Sequence, residues 1–161
     1  MFTTATRALL GTAGPIPAKH AFVSNRDDNS VTAISLAKPA AMSFVSELTD
    51  ATNLAGAGAI AVDRAARVLW VCAFATNRLT AVNIANPASM TVLGSYNSAT
   101  FCRSPRAVVL AGTVAYVLEG GGGNPQLTAI NIGNPAAPTR ISSVVVTTSA
   151  VDALAVDAAN G

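Results

Sequence analysis

The sequence has little charge and a single histidine, and both shortages exclude classes of function. Only 11% of its 161 residues are charged, the net charge is +2, and the ten basic residues form no cluster. Non-specific nucleic-acid binding needs a concentrated positive field, so no nucleic-acid partner is predicted. The histidine, His20, has no cysteine or paired acid beside it in the sequence, and we predict a surface residue rather than a catalyst.

Long apolar runs and cysteines are also scarce. Although 51% of the residues are hydrophobic, no run approaches the roughly 18 residues that a membrane-spanning helix requires, so no membrane span is predicted. The apolar patch after Arg7 is too short for a signal-peptide core, and no signal peptide is predicted in this chain. Cys72 and Cys102 match no zinc or redox spacing. The run LWVCAF around Cys72 favours a buried free thiol, with a disulfide as the alternative.

A ten-residue motif occurs three times at one constant spacing, which we call the repeat period. The copies are VTAISLAKPA at 31–40, LTAVNIANPA at 79–88 and LTAINIGNPA at 127–136. A period of about 48 residues is typical of a solenoid, a propeller or another repeat array. We predict an N-terminal arm at 1–20, which could supply a first strand, and a repeat domain at 21–161. Its units lie near 21–52, 53–100 and 101–147, with a partial unit at 148–161.

Each unit divides into four short strands, which the middle copy displays best. The segments AIAVD, VLWVCAF, LTAVNIA and MTVLGSY, at 59–63, 68–74, 79–85 and 90–96, are rich in β-branched and aromatic residues and are bounded by Asn, Gly, Pro and Asp. Other segments, such as AVVL at 107–110 and SVVV at 143–146, are apolar at both odd and even positions, which favours sheets covered on both faces. The fold predicted is all-β, a propeller-like array of about three four-stranded units.

Proline marks the turn after each third strand. Pro39, Pro87 and Pro135 suit the first central position of a tight turn, because their φ is fixed and they lack an N–H. Asn86 and Asn134 precede two of them and are expected to cap the turn through their side chains. These five residues are therefore interpreted as scaffold.

Aromatic residues recur at an equivalent place in the repeats. Trp70 follows Phe22 by one repeat period, and Tyr116 takes the same place in the third copy if two residues are lost before it and two are gained after it. We expect these rings to pack between neighbouring units. The gained residues belong to the GGGG segment at 120–123, which is interpreted as flexible turn backbone rather than a phosphate-binding loop.

Several of these segments resemble known repeat families. AFVSNRDDNSVTAISLA at 21–37 resembles the YVTN-type β-propeller repeat, and AVNIANPASMTVLGSY at 81–96 and AINIGNPAAPTRISSV at 129–144 resemble the LVIVD-type repeat. VDALAVDAANG at 151–161 is similar to the first strand and turn of such a unit. The resemblance implies a propeller fold and favours an extracellular or particle-surface location, but it does not specify a function.

Three units are fewer than the four to eight blades of typical propellers. The partial unit holds a lone first strand at 153–157, which begins with Ala153 and ends with Asp157. We expect this strand to complete a blade of a neighbouring chain, most simply in a head-to-tail homodimer with six blades. The alternative rests on TRALLGTAG at 6–14, which resembles PRAVVLAG at 105–112 and could supply the missing first strand itself. The chain would then be a fragment of a longer propeller, or would exchange its last strand in a polymer.

In a propeller, the loops between second and third strands share one face with the loops that join successive blades. The polar residues expected on that face are the candidate binding residues for a protein or a glycan. They are Asn25, Arg26, Asp27, Asp28, Asn77, Arg78 and Glu119. Asp27 and Asp28 lie in a polar turn that lacks the glycine and the distal glutamate of an EF-hand loop, so no metal is predicted.

The leading hypothesis is a non-enzymatic repeat protein that acts in protein interaction or structural assembly, as a surface, filament or virion component. No catalytic residue and no cofactor are predicted, since no acid–base pair or nucleophile motif is present. One alternative is a lectin-like ring, assembled from several chains, that binds glycans. The other is a fragment of a longer propeller enzyme, with Asp27 and Asp28 as the candidate acids.

Overall fold

The computed structural model describes residues 20–120, 124–146 and 151–157, and its secondary structure there is almost entirely β. Eleven strands form three antiparallel sheets of three, four and four strands. The first sheet contains β1 (His20–Asn25), β2 (Ser30–Ser35) and β3 (Ser43–Thr49). The second contains β4 (Ala57–Asp63), β5 (Val68–Ala73), β6 (Arg78–Asn83) and β7 (Thr91–Asn97). The third contains β8 (Pro105–Ala111), β9 (Val114–Glu119), β10 (Gln126–Asn131) and β11 (Thr139–Val145).

Within each sheet, every strand pairs with the strand that follows it in the sequence, so every sheet is a meander. The predicted propeller-like array of four-stranded units is thereby confirmed, and the strand bounds predicted for the middle unit agree closely with β4 to β7. Two short 3-10 turns, at Pro39–Ala41 and Phe74–Thr76, are the helical segments of the described residues. No helix within these ranges is long and apolar enough to cross a membrane.

In the second and third sheets, an asparagine side chain caps the turn after the third strand, as the sequence predicts. The carboxamide oxygen of Asn86 accepts a hydrogen bond from the backbone N–H of Ala88 at 3.2 Å. The oxygen of Asn134 accepts the equivalent bond from Ala136 at 3.1 Å. In the first copy, the side chain of Lys38 makes no such bond. Asparagine in these positions replaces a backbone partner and fixes where the strand ends.

The hydrophobic core lies between the sheets, in two clusters that share the second sheet. Val68, Trp70 and Cys72 of β5 pack towards the third sheet, whereas Leu69 and Val71 pack towards the first. All six residues of β5 are buried. Trp70 therefore packs between units, as predicted. Because β5 is covered on both faces, it can be apolar at every position.

The prediction that both faces are covered is wrong for β11. Val144 and Val145 of β11, and Val146 just after it, are exposed, because β11 packs mainly on β10 of its own sheet. The N-terminal segment 6–14 and residues 121–123 of the glycine loop lie outside the described residues. Residues 153–157 belong to no β-ladder of the described chain, so their pairing with a neighbouring chain stays a prediction.

Candidate functional site

Loops between second and third strands meet the loops that join successive sheets on one face of the molecule, which we call the loop face. The carboxamide oxygen of Asn29 accepts a hydrogen bond from the N–H of Gly56 at 2.9 Å. One repeat period later, the oxygen of Asn77 accepts a bond from the N–H of Ser104 at the same distance. Each bond ties a loop of one sheet to the connection that leads into the next sheet.

These two asparagines adopt a backbone conformation that few residues tolerate. Asn29 has φ 53° and Asn77 has φ 57°, in the left-handed region that asparagine enters more readily than most residues. The carbonyl oxygen of Asn77 also accepts a bond from the N–H of Ser98 at 3.1 Å. The structure therefore places Asn77 in a loop clamp, whose members are the pairs Asn29–Gly56 and Asn77–Ser104. The spacing of one repeat period between the asparagines was the sequence signal for this clamp.

Asn25 and Arg78, two of the predicted binding residues, are half-buried and bonded within their own sheets. The amide nitrogen of Asn25 donates to Oγ1 of Thr32 at 2.8 Å and to Oγ of Ser30 at 3.0 Å. Nη1 of Arg78 donates to Oγ of Ser95 at 2.9 Å. Both side chains therefore hold neighbouring strands together.

Glu119 was expected to be displayed on the loop face, and that expectation is wrong. Its side chain is 0% exposed. Glu119 pairs with Pro105 as Ala73 pairs with Ala57 in the second sheet, so Glu119 occupies the position equivalent to the buried Ala73. The hydroxyl of Thr128 donates a hydrogen bond to Oε1 at 3.0 Å, whereas Oε2 has no partner among the described residues.

Burial raises the pKa of the Glu119 carboxyl, and the bond from Thr128 and the positive charge of Arg103 act in the opposite direction without cancelling it. The same buried region contains both cysteines, which are free. Burial raises the pKa of the Cys72 thiol to about 12 and also raises that of Cys102. Thiols in this state are poor nucleophiles, so the cysteines act as core residues.

Arg26, Asp27 and Asp28 are exposed at the tip of the loop between β1 and β2. Arg26 stacks on the ring of Phe74, with its guanidinium carbon 4.8 Å from the ring centre. From the third sheet, the guanidinium carbon of Arg106 lies 5.7 Å from the same centre. We call Arg26, Phe74 and Arg106 the arginine platform. It brings together residues of all three repeat units, two from loops and Arg106 from β8.

Arg106 is held in place by two further contacts. Its Nη1 forms an ion pair with Oδ1 of Asp152 at 3.2 Å. Its side chain also lies directly over Gly120, where a Cβ atom would collide with it. Sequence reasoning missed Phe74, Arg106 and Asp152, although Phe74 follows Arg26 by one repeat period.

A groove lies between the second and third sheets at the opposite ends of the strands. On one side of it the turn between β4 and β5 spans residues 64–67, whereas the equivalent turn between β8 and β9 has only residues 112–113. The side chain of Asp63 is committed within the longer turn, where it accepts a hydrogen bond from the N–H of Ala66 at 2.9 Å. The groove has a volume of about 670 Å³ and is lined by Val62, Asp63, Arg64, Ala65, Ala66, Leu110, Gly112, Thr113, Ile132, Gly133 and Pro135.

The meandering sheets, the threefold sequence repeat and the loop clamp together define a β-propeller-type repeat protein. The family model of the LVIVD repeat matches residues 71–98, which include the LVIVD-like segment at 81–96 and the strands β6 and β7. The LVIVD resemblance of that segment is thereby confirmed. No curated protein matches the sequence.

Solved structures share the fold at low sequence identity. A functionally unknown protein from Desulfotomaculum acetoxidans aligns with a TM-score of 0.64 and 14% identity, over 84% of this chain and 44% of its own. A protein from Bacteroides uniformis, provisionally named a 6-phosphogluconolactonase, aligns with a TM-score of 0.65 and 12% identity, over 82% and 41%. A chain in a nidogen/laminin complex aligns with a TM-score of 0.54 and 15% identity, over 79% and 42%. This chain thus spans about two-fifths of the length of these structures.

Proposed function

We propose that this chain is a non-enzymatic β-propeller repeat protein that acts in protein interaction and structural assembly. The observation that carries the proposal is the loop face, where exposed charges of both signs are mounted on loops fixed by the loop clamp. Mixed charge on a rigid surface suits recognition of another protein, because complementary charges set specificity and encounter rate. The fold similarity to a chain in a nidogen/laminin complex is in keeping with a protein-binding role.

The assembly part of the proposal rests on the outer faces of the first and third sheets. Val23 of β1 is 42% exposed, whereas Val71, which follows it by one repeat period, is buried against the first sheet. Tyr116 is half-buried, whereas its equivalent Trp70 is fully buried. These positions pack between sheets wherever a neighbouring sheet is present. A second copy would supply that neighbour. Since one chain spans 44% of the Desulfotomaculum protein, two copies together would span most of its length.

The test is the mass in solution, measured by light scattering coupled to size exclusion at two protein concentrations. We expect a discrete dimer, with the strand at 153–157 completing a blade of the partner. Val23→Glu should convert the dimer into a monomer, because the new charge would be buried at the interface. Leu93→Glu is the matched control, since Leu93 is 39% exposed on β7 of the central sheet. A monomer at both concentrations would contradict the assembly, and a ladder of large species would contradict the closed ring.

The two alternatives make separate demands on the same face. A lectin-like ring would bind glycans, and a broad glycan array on which nothing binds counts against it. An enzyme would need the exposed carboxylates of Asp27 and Asp28, the predicted candidate acids. Turnover of a sugar lactone that disappears in the Asp27→Asn, Asp28→Asn double variant would support that alternative over the non-enzymatic role.

A further inference from the structure

The arginine platform presents hydrogen-bond donors to solvent. A guanidinium that stacks on an aromatic ring uses its flat face, so the N–H groups along its edge stay available for a planar acceptor. Arg26 is exposed, and the side chain of Arg106 is 41% exposed. Phe74 keeps both cations close together, since their guanidinium carbons lie 4.8 Å and 5.7 Å from its ring centre.

The contact with Asp152 shows which acceptor fits the platform. Nη1 of Arg106 donates to Oδ1 of Asp152 at 3.2 Å, and the Asp152 side chain is itself 81% exposed. This ion pair uses one of the five N–H groups of the guanidinium. An exposed pair of this kind contributes little stability, so a carboxylate from another molecule can replace Asp152 at small cost.

The separation of the two cations is compatible with an extended peptide that carries more than one acidic side chain. The guanidinium carbons of Arg26 and Arg106 can lie no further apart than the sum of their distances to the shared ring centre. In an extended chain, side chains two residues apart point to the same side about 7 Å from each other, which falls within that limit. Two acidic residues in such a peptide can therefore pair with the two arginines at once.

We propose that the arginine platform binds an acidic, extended segment of a protein partner, and that Asp152 competes with that segment for Arg106. This inference rests on the proposed interaction role of the loop face and specifies the chemistry of the partner. Asp27 and Asp28 follow Arg26 in the same exposed turn and carry the opposite charge. Their negative charges weaken the attraction of this loop for an acidic segment.

The experiment measures the fluorescence anisotropy of a labelled peptide of alternating glutamate and glycine, titrated with the full chain at low and at physiological ionic strength. We expect saturable binding that salt weakens. Arg26→Ala and Arg106→Ala should each weaken binding roughly two- to fivefold, and Asp152→Asn should strengthen it by a similar factor. Arg64→Ala is the matched control, because Arg64 is exposed in the turn at the opposite ends of the strands, and should leave binding unchanged.

Arg26 and Asp152 are exposed, so their variants are expected to fold normally and the test does not depend on Arg106→Ala alone. Absence of saturable binding at low ionic strength would overturn the inference, as would equal binding by the wild type and the Arg26→Ala, Arg106→Ala double variant. Complete displacement of the peptide by inorganic phosphate at matched ionic strength would assign the platform to phosphate groups and also overturn it.

A second peptide, of alternating lysine and glycine, separates the failure of this inference from failure of the proposed function. Binding of the basic peptide alone, lost in the Asp27→Asn, Asp28→Asn variant, would leave the loop face as an interaction surface and reject the acidic partner. If neither peptide binds, the inference fails, and the mass in solution still decides the assembly role independently.

Discussion

On β9, between β8 and β10, Glu119 carries a carboxyl group that solvent does not reach. Burial raises its pKa in the folded state, so the folded protein holds this proton more tightly than the unfolded chain does. Stability therefore falls as the pH rises from the unfolded pKa, about 4.3, through the folded pKa. The charged group that opposes this trend is Arg103, and the thiol of Cys102 stays neutral because its own pKa is also raised.

Replacing this carboxyl by its neutral isostere should stabilise the protein at pH 8. Glu119→Gln keeps an acceptor for the Thr128 hydroxyl and removes the cost of either burying the ionised carboxylate or protonating it at this pH, so we expect a gain of about 1 kcal/mol or more. Urea unfolding, followed by the fluorescence of Trp70, the single tryptophan, measures the difference. The gain should shrink at pH 4, where the wild-type carboxyl is largely protonated in both states.

Asp28→Asn provides the control, since Asp28 is exposed at the tip of the loop between β1 and β2 and its replacement should leave the stability unchanged at both pH values. A Glu119→Gln protein that is no more stable than wild type at pH 8 would show that Arg103 compensates the buried charge fully.

At the scale of the elements, the loop clamp connects sheets that share no backbone hydrogen bonds within their ladders. Asn29 joins the first sheet to the start of the second, and Asn77 joins the second to the start of the third. The third repeat has Pro125 in the corresponding place. Each clamp depends on a left-handed backbone and on a short side chain with an acceptor at the right distance.

Asn77 offers a test that separates a structural role from recognition. Asn77→Gly retains the left-handed backbone and loses only the hydrogen bond to Ser104, so we expect a loss of about 1 kcal/mol in the free energy of unfolding. Asn77→Ala also carries the cost of the left-handed conformation, which brings the expected loss to roughly 2 to 3 kcal/mol. Urea unfolding of the two variants beside the wild type measures both values. Equal stability of all three proteins would show that the clamp contributes no stability, and binding would then remain the predicted role of Asn77.

At the scale of the whole molecule, the stability of each unit depends on how the sheets stack. The second sheet contributes to both hydrophobic clusters, whereas the first and the third contribute to one each. In a repeat array each unit is stabilised by its immediate neighbours, so the central unit is expected to open least often.

Amide hydrogen exchange measures this difference directly. We expect the slowest exchange in β5 and β6, whose residues are mostly buried, and the fastest among the strands in β3 and β11 at the sheet edges. Slower exchange in β2 or β9 than in β5 would mean that an outer sheet, rather than the central one, is the most stable unit.

The sequence by itself determined the repeat, the order of the strands and the turns. These features depend on short-range rules: β-branched runs form strands, and the Asn–Pro pairs at 86–87 and 134–135 end them through bonds within the turn. The free, buried thiol of Cys72 also follows from the apolar run around it. Local pattern was sufficient because each of these choices involves residues only a few positions apart.

Only the tertiary structure decided which polar residues reach solvent and which meet one another. Glu119 turns inward, and Asn77 is committed to Ser104 of the next connection. Arg26, Phe74 and Arg106 come from three repeat units and meet on the loop face. Their proximity results from how the sheets stack, and stacking is fixed by contacts between side chains of different repeats, which lie too far apart in the sequence for any local periodicity to relate them.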